Sequence, residues 1–232
     1  MAIYVIGDLH LSGSTNKPMD IFGENWVTHS EKIRNNWTNL VGYSDTVLVL
    51  GDISWAMTLE EAMVDLDYID QLPGKKILLR GNHDYWWSSV KRLNSLYENM
   101  LFLQNDYCMV EDIAICGTRG WICPNNQKFT QQDKKIYERE LMRLKISFDK
   151  AVKDKRDNIY AITHYPPTND KFEPSGFTDI YEDYAVKKVF YGHLHGAEAF
   201  DGGLKGNFNG VEYYLASCDY LDFSPFKVIV QS

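Results

Sequence analysis

Short apolar runs separated by amphipathic stretches set the pattern of the N-terminal part of the chain. Ala2–Ile6, Thr46–Leu50 and Lys75–Leu79 are rich in β-branched residues and leucine and are too short for helices, so they predict buried strands. Between them the apolar spacing widens to that of a helix. Ile33, Trp37, Leu40 and Val41 mark a helix within Thr28–Val41. Leu59, Ala62, Met63, Leu66 and Ile69 mark another within Thr58–Leu72, where Thr58 and Glu61 have the spacing of a capping box and Pro73-Gly74 stops the run. Val90, Leu93 and Leu96 predict a third helix over Trp86–Tyr97. Strand, helix, strand, helix, strand, helix implies a parallel sheet with right-handed crossovers. All three strands then end on one edge, which carries Asp8, His10, Asp52, Asn82 and His83.

Beyond Met100 the runs shorten. Leu101–Leu103, Tyr107–Val110 and Ile113–Cys116 read as strands of antiparallel character, followed by a Gly- and Asn-bearing loop to Thr130. Gln131–Lys153 is the longest predicted helix, with Ile136, Leu141, Leu144 and Phe148 on its apolar face. Asn158–Thr163 and Lys187–Tyr191 predict strands, and Phe177–Ala185 a helix. Asn207–Ser217 predicts a hairpin around Asn209-Gly210, and Phe226–Val230 a last strand. No linker divides residues 1–232, so a single α/β domain is expected.

Charge and cysteines narrow the function classes. A net charge of -8 argues against an extended nucleic-acid surface. The four cysteines form no C-x-x-C pair or dense framework, which fits reduced thiols. With no leader-like start and no long apolar run, a cytoplasmic protein with no membrane span is expected.

Of the six histidines, His10, His83, His164, His193 and His195 each follow the end of a predicted strand; His29 reads as a surface or helix-start residue. One such histidine is commonly a satisfied loop residue. Five, joined by Asp8, Asp52 and Asn82, point to metal. Carboxylate and amide oxygens with imidazoles and no thiolate suit divalent ions such as manganese, iron or zinc, and argue against a structural zinc finger. Asp8, His10, Asp52, Asn82, His164, His193 and His195 are too many ligands for one ion, so two are expected.

Gly7-Asp8-Leu9-His10, Gly51-Asp52, Gly81-Asn82-His83-Asp84, a single His164 after a strand, and Gly192-His193-Leu194-His195 resemble, in order and placement, the calcineurin-like metallophosphoesterase family. The resemblance implies a four-layer α/β/β/α sandwich with two mixed sheets and a metal site at the C-terminal ends of the strands. It implies that Asp8, His10 and His195 bind one ion and Asn82, His164 and His193 the other, with Asp52 bridging. His83 would face the substrate without binding metal, and Asp84 would orient it. The chain departs from the family's common Gly-Asp-x-x-Asp pattern at Gly51-Asp52-Ile53-Ser54-Trp55, which leaves the support around Asp52 open.

Two dications outweigh Asp8, Asp52 and a bridging hydroxide, so the pocket would attract a phosphate ester despite the acidic chain. The expected reaction is in-line attack by that hydroxide on a small phosphate ester, with His83 stabilising the phosphate or protonating the leaving oxygen. A phosphomonoester is the first expectation, a phosphodiester or nucleotide the alternative, and a non-catalytic metal-bound scaffold the second alternative. Arg119 is a candidate substrate contact, while Arg80 reads as a supporting or surface residue. Trp55, Trp86, Trp87 and Trp121 could stack a ring or pack helices onto the sheet, and Tyr165 could do either.

Overall fold

The computed structural model describes residues 1–125 and 129–229. Within these residues eleven strands form two sheets. The first contains β1 (Ile3–Ile6), β2 (Thr46–Val49), β3 (Lys75–Leu79) and β4 (Met100–Leu103), paired in parallel in that order. The second runs β5 (Tyr107–Val110), β6 (Ile113–Thr118), β7 (Ile159–Thr163), β8 (Lys188–Tyr191), β10 (Val211–Leu215) and β9 (Gly206–Phe208). The last strand, β11 (Phe226–Val228), returns to the first sheet and pairs antiparallel with β1. Val230, the expected end of that strand, lies outside the described residues.

Side-chain alternation along each strand builds the layers, because successive residues point to opposite faces. In β1, Tyr4 and Ile6 pack toward the core under α1 (His29–Leu40) and α2 (Leu59–Asp70), while Ile3 and Val5 face the second sheet. In β2, Val47 and Val49 take the first direction and Leu48 and Leu50 the second. The strands read as continuous apolar runs because both faces are buried. On the far side, Leu144 and Phe148 of α4 (Gln131–Lys153) and Phe177 and Tyr181 of α5 (Gly176–Asp183) cover the second sheet. The result is the expected four-layer α/β/β/α sandwich. Among the described residues no helix is long and apolar enough to cross a membrane.

Two expectations are corrected. The helix over Trp86–Tyr97 shrinks to α3, Val90–Leu93. Trp86 and Trp87 are drawn out of helical register: the Trp86 indole donates to Asp84 at 3.1 Å, and Trp87 packs on Phe102 at 5.3 Å. After α3, the Asn94 side chain accepts from the Phe102 amide at 2.7 Å instead of extending the helix. The strand at Leu101–Leu103 is parallel, not antiparallel, because the Arg80–Asn99 crossover returns it alongside β3. The second sheet is likewise mostly parallel, with antiparallel pairs only at its edges, β5–β6 and β9–β10. The Asn209-Gly210 hairpin forms as expected, with both residues at positive φ.

The long helix α4 starts at a closed capping box. Thr130 Oγ1 accepts from the Asp133 amide at 3.1 Å, and Asp133 accepts from the Thr130 amide at 2.9 Å. Replacing Thr130 by Ala removes one of the two bonds. The expected cost is about 1 kcal/mol, read as a lowered urea midpoint at unchanged slope.

Candidate active site

The C-terminal ends of β1, β2, β3, β7 and β8 meet along one edge where the sheets converge. The backbones touch there. A Cβ on Gly81 would lie 2.1 Å from both the amide nitrogen and the Oδ1 of Asp52, so only glycine fits. Asp8, His10, Asp52 and His193 have φ values of 58°, 44°, 47° and 73°, left-handed backbone that non-glycine residues rarely adopt. Each such residue costs on the order of 1–3 kcal/mol and persists only where its surroundings over-determine it. Here a network of backbone bonds supplies that support. Asp8 N donates to Gly51 O at 2.9 Å, His10 N to Asp52 O at 2.9 Å, and Gly192 N to His164 O at 3.0 Å.

The side chains gather into two groups. Asp8, His10 and His195 form one; Asp52, His164 and His193 form the other, with ligating atoms within 4.8 Å of one another in each. Asn82 joins the second group, its Oδ1 2.7 Å from His164 Nε2. Asp52 Oδ2 looks toward both, 3.8 Å from His10 Nε2 and 3.4 Å from His164 Nε2. Its other oxygen accepts from the His83 amide at 2.8 Å.

One close contact, His164 Nε2 to Asn82 Oδ1, is between acceptors. His164 Nδ1 is 3.0 Å from Leu50 O, so it carries the proton and Nε2 presents a lone pair. That lone pair faces Asn82 Oδ1 at 2.7 Å and His193 Nδ1 at 3.2 Å. His195 Nδ1 donates to Asp219 Oδ1 at 2.9 Å, which turns its Nε2 lone pair toward His10 Nε2 at 3.2 Å. Convergent lone pairs and carboxylates fit a cation on chemical grounds.

The electrostatics agree. Burial holds His10 well below its ordinary range, and burial with neighbouring imidazole charge pushes His164 and His193 down to about 3, leaving these rings neutral, each with an unprotonated nitrogen. Burial raises Asp8 to about 7 and also raises Asp52. For His195, burial opposes protonation, but the Asp219 hydrogen bond and the Asp8 charge raise it overall. Without a compensating cation, this pocket holds carboxylates against their preference for water.

The structure revises three expectations. Asp84 does not orient His83. Its Oδ1 accepts from the amides of Ile53 at 2.9 Å and Ser54 at 3.2 Å and from the Trp86 indole, and its Oδ2 from Gly81 N at 2.7 Å. It therefore pins the turn after Asp52 to the turn before Asn82. The physical reason is depth: Asp84 is fully buried beneath the loop, whereas the His83 ring is partly exposed. Arg119 does not point into the site. Its guanidinium lies over Trp121 at 4.7 Å and 3.7 Å from the buried Glu140 carboxylate, while its carbonyl accepts from His164 N and Tyr165 N. Of the two readings of His29 only the surface one fails: it opens α1 but is buried, with Nε2 3.2 Å from His10 O.

Three supporting carboxylates or rings went unread in the sequence. Asp219 orients His195 and also accepts from Gly196 N at 3.1 Å. Asp65 of α2 accepts from Gly13 N at 2.9 Å and from the Ser54 hydroxyl. Trp26 packs edge-on to His195 at 5.5 Å. Only Asp65 had a signal, an acidic residue beside Leu66 on the buried stripe of α2. Trp86 and Trp87 are packing residues, Trp121 packs against Tyr165 at 5.0 Å, and Trp55 lies against His10 and His83.

Two stacked sheets with such groups at their strand ends define a four-layer α/β/β/α protein with candidate metal ligands along one edge, and comparison identifies the family. The chain matches the calcineurin-like phosphoesterase family over residues 1–197 and belongs to it. Among curated proteins it resembles the Gene 66 protein of Mycobacterium phage L5, 34% identical over 77 residues, covering 33% of this chain and 37% of that protein. The Gene 66 protein of Mycobacterium phage D29 is 33% identical over 104 residues, covering 43% of this chain and 50% of that protein. The matched segments thus span half or less of those relatives. Similar solved folds include a phosphopantetheinyl hydrolase from Mycobacterium tuberculosis, with TM-score 0.54 and 14% identity over 99% of this chain and 96% of that one. A protein of unknown function from Aquifex aeolicus gives TM-score 0.54 and 17% identity over 97% and 95% of the two chains.

If the Asp219 hydrogen bond fixes the His195 ring, Asp219→Asn should weaken metal binding by about 10–100-fold, measured by calorimetric titration with manganese. An unchanged isotherm would show that Asp219 only anchors the Gly196 turn.

Proposed function

We propose that the chain is a metal-dependent phosphoester hydrolase acting on a small phosphomonoester. The observation that carries this is the meeting of two groups of candidate ligands at Asp52 Oδ2, 3.8 Å from His10 Nε2 on one side and 3.4 Å from His164 Nε2 on the other. In this reading Asp8, His10 and His195 hold one divalent ion, Asn82, His164 and His193 the other, and Asp52 serves both. Manganese, iron and zinc all suit the donors. Bound there, such ions would supply Lewis-acid polarisation of phosphate oxygens and a water acidic enough to act near neutral pH.

The chain's own groups do the rest. The His83 amide fixes Asp52 Oδ1, leaving Oδ2 for the ions. The His83 ring, partly open to solvent and 4.0 Å from Asp52 Oδ2, is placed to meet the phosphate or hand a proton to the leaving oxygen. Asp84 contributes indirectly, by holding the Asp52 and Gly81 turns in register.

A phosphodiester or nucleotide substrate is the second reading. It is favoured by a cavity of about 280 Å³ beside His193, lined by Ile122, Tyr165, Asn169, Lys171 and Leu194, with room for a second ester arm. The acidic chain has no call for an extended nucleic acid, and four unpaired thiols support a cytoplasmic setting.

Protein loaded with manganese should hydrolyse nitrophenyl phosphate faster than bis-nitrophenyl phosphate. Chelation should abolish the activity and added manganese restore it. Cleavage of neither ester would leave the non-catalytic scaffold as the better reading, and faster diester cleavage would reverse the substrate order. His83→Ala should lower kcat roughly 10²–10⁴-fold on an alkyl phosphate, whose leaving group needs a proton, and much less on the nitrophenyl ester. Equal losses on both would remove the acid role. Asp52→Asn should lower the bound metal below two ions per chain by elemental analysis.

A further inference from the structure

We propose that Trp55 is a positioning residue: its indole plane holds the His10 imidazole, and through the same contact His83, in place of the hydrogen bond that other clustered histidines receive. The inference rests on the metal-dependent reading above. His164 and His195 each have Nδ1 tied, to Leu50 O at 3.0 Å and to Asp219 Oδ1 at 2.9 Å. Such a bond fixes the tautomer and the ring plane of a ligand. His10 Nδ1 is buried and has no hydrogen-bond partner among the described residues. Its ring plane is set by aromatic contact. Trp55 stacks on it at 4.8 Å and 24°, and Trp26 closes the other approach edge-on at 6.0 Å and 67°.

Trp55 is itself held at several points. Its amide donates to Leu11 O at 2.9 Å, its indole Nε1 to Met19 Sδ at 3.2 Å, and Lys17 Nζ lies 4.8 Å from the ring centre. Ser54, the preceding residue, is bonded to the buried Asp65 and to Asp84. The indole cannot swing away without breaking this set. The same ring lies 4.4 Å from His83, and His10 and His83 are 5.8 Å apart, so the three rings form one triangle. One side chain thus touches a proposed metal ligand and the proposed substrate-facing imidazole together. Stacking suits this task, since the negative face of an indole favours an imidazole whose electrons are drawn off toward a cation.

The test compares Trp55→Leu with Trp55→Phe in the full chain, by manganese calorimetry and by kcat and KM on nitrophenyl phosphate. Trp55→Leu should weaken one of the two manganese sites about 10–100-fold while sparing the other, and lower kcat more than it changes KM. Trp55→Phe, which keeps a stacking plane, should stay within about threefold of wild type on both. Trp55→Met serves if the leucine variant fails to fold by circular dichroism, and carries the same expectation. Wild-type affinities in the leucine or methionine variant would overturn the proposal, as would equal impairment in the phenylalanine variant. Wild-type protein that binds no manganese and cleaves no ester would instead sink the hydrolase reading itself.

Discussion

Asp52 is the residue on which the site geometry depends. One of its oxygens is fixed by the His83 amide, and the other is left between two imidazole-bearing groups. For the carboxylate to sit there, the β2 and β3 strand ends must touch backbone to backbone. That contact requires Gly81, places Asp52 in left-handed backbone, and needs Asp84 beneath the loop to accept the amides the turn would otherwise bury unpaired. Glycine, strained aspartate and buried acid are three parts of one local solution. Removing any of them displaces the same carboxylate oxygen.

The candidate ligand positions were legible because residue type and strand end are both local. Asp8, His10, Asp52, Asn82, His164, His193 and His195 each follow a short apolar run, and parallel topology brings such ends together without knowledge of loop geometry. The supporting groups were not legible in this way. Asp219 reaches His195 from a segment beyond β10, and His29 reaches the His10 carbonyl from the start of α1. Both depend on tertiary placement, which leaves no periodic trace. Asp84 was misassigned for a related reason. Adjacency to His83 suggested contact, but successive residues in a tight turn point in different directions, and Asp84 points inward.

Errors in the fold have the same origin. The apolar spacing of Val90, Leu93 and Leu96 is helical, yet only Val90–Leu93 is helix, because Trp86 and Trp87 find better burial under the first sheet than on a helix face. The direction of β4 was unreadable from its four residues and follows from the crossover that delivers it. The sandwich survived these errors because its architecture rests on strands buried on two faces, and β1, β2 and β3 show that plainly in composition.

The two sides of the site are stabilised by different chemistry. Around His164 and His195, hydrogen bonds to a carbonyl and a carboxylate fix ring orientation directionally. Around His10, contact with Trp55 and Trp26 fixes it by shape. A hydrogen-bonded carboxylate adds charge behind a ligand; an indole adds none. The Asp8–His10–His195 group therefore has its charged support on one ring only, while the aromatic wall excludes water from the other. That wall continues to the His83 ring, which is itself partly open to solvent. The opposite side, at His193 and Tyr165, opens into the cavity with Asn169 and Lys171. In the proposed reading, an ester held with its phosphate at the aromatic side would extend its remaining atoms toward that cavity. On that reading the residues lining the cavity, and not those around Asp52, would set substrate choice.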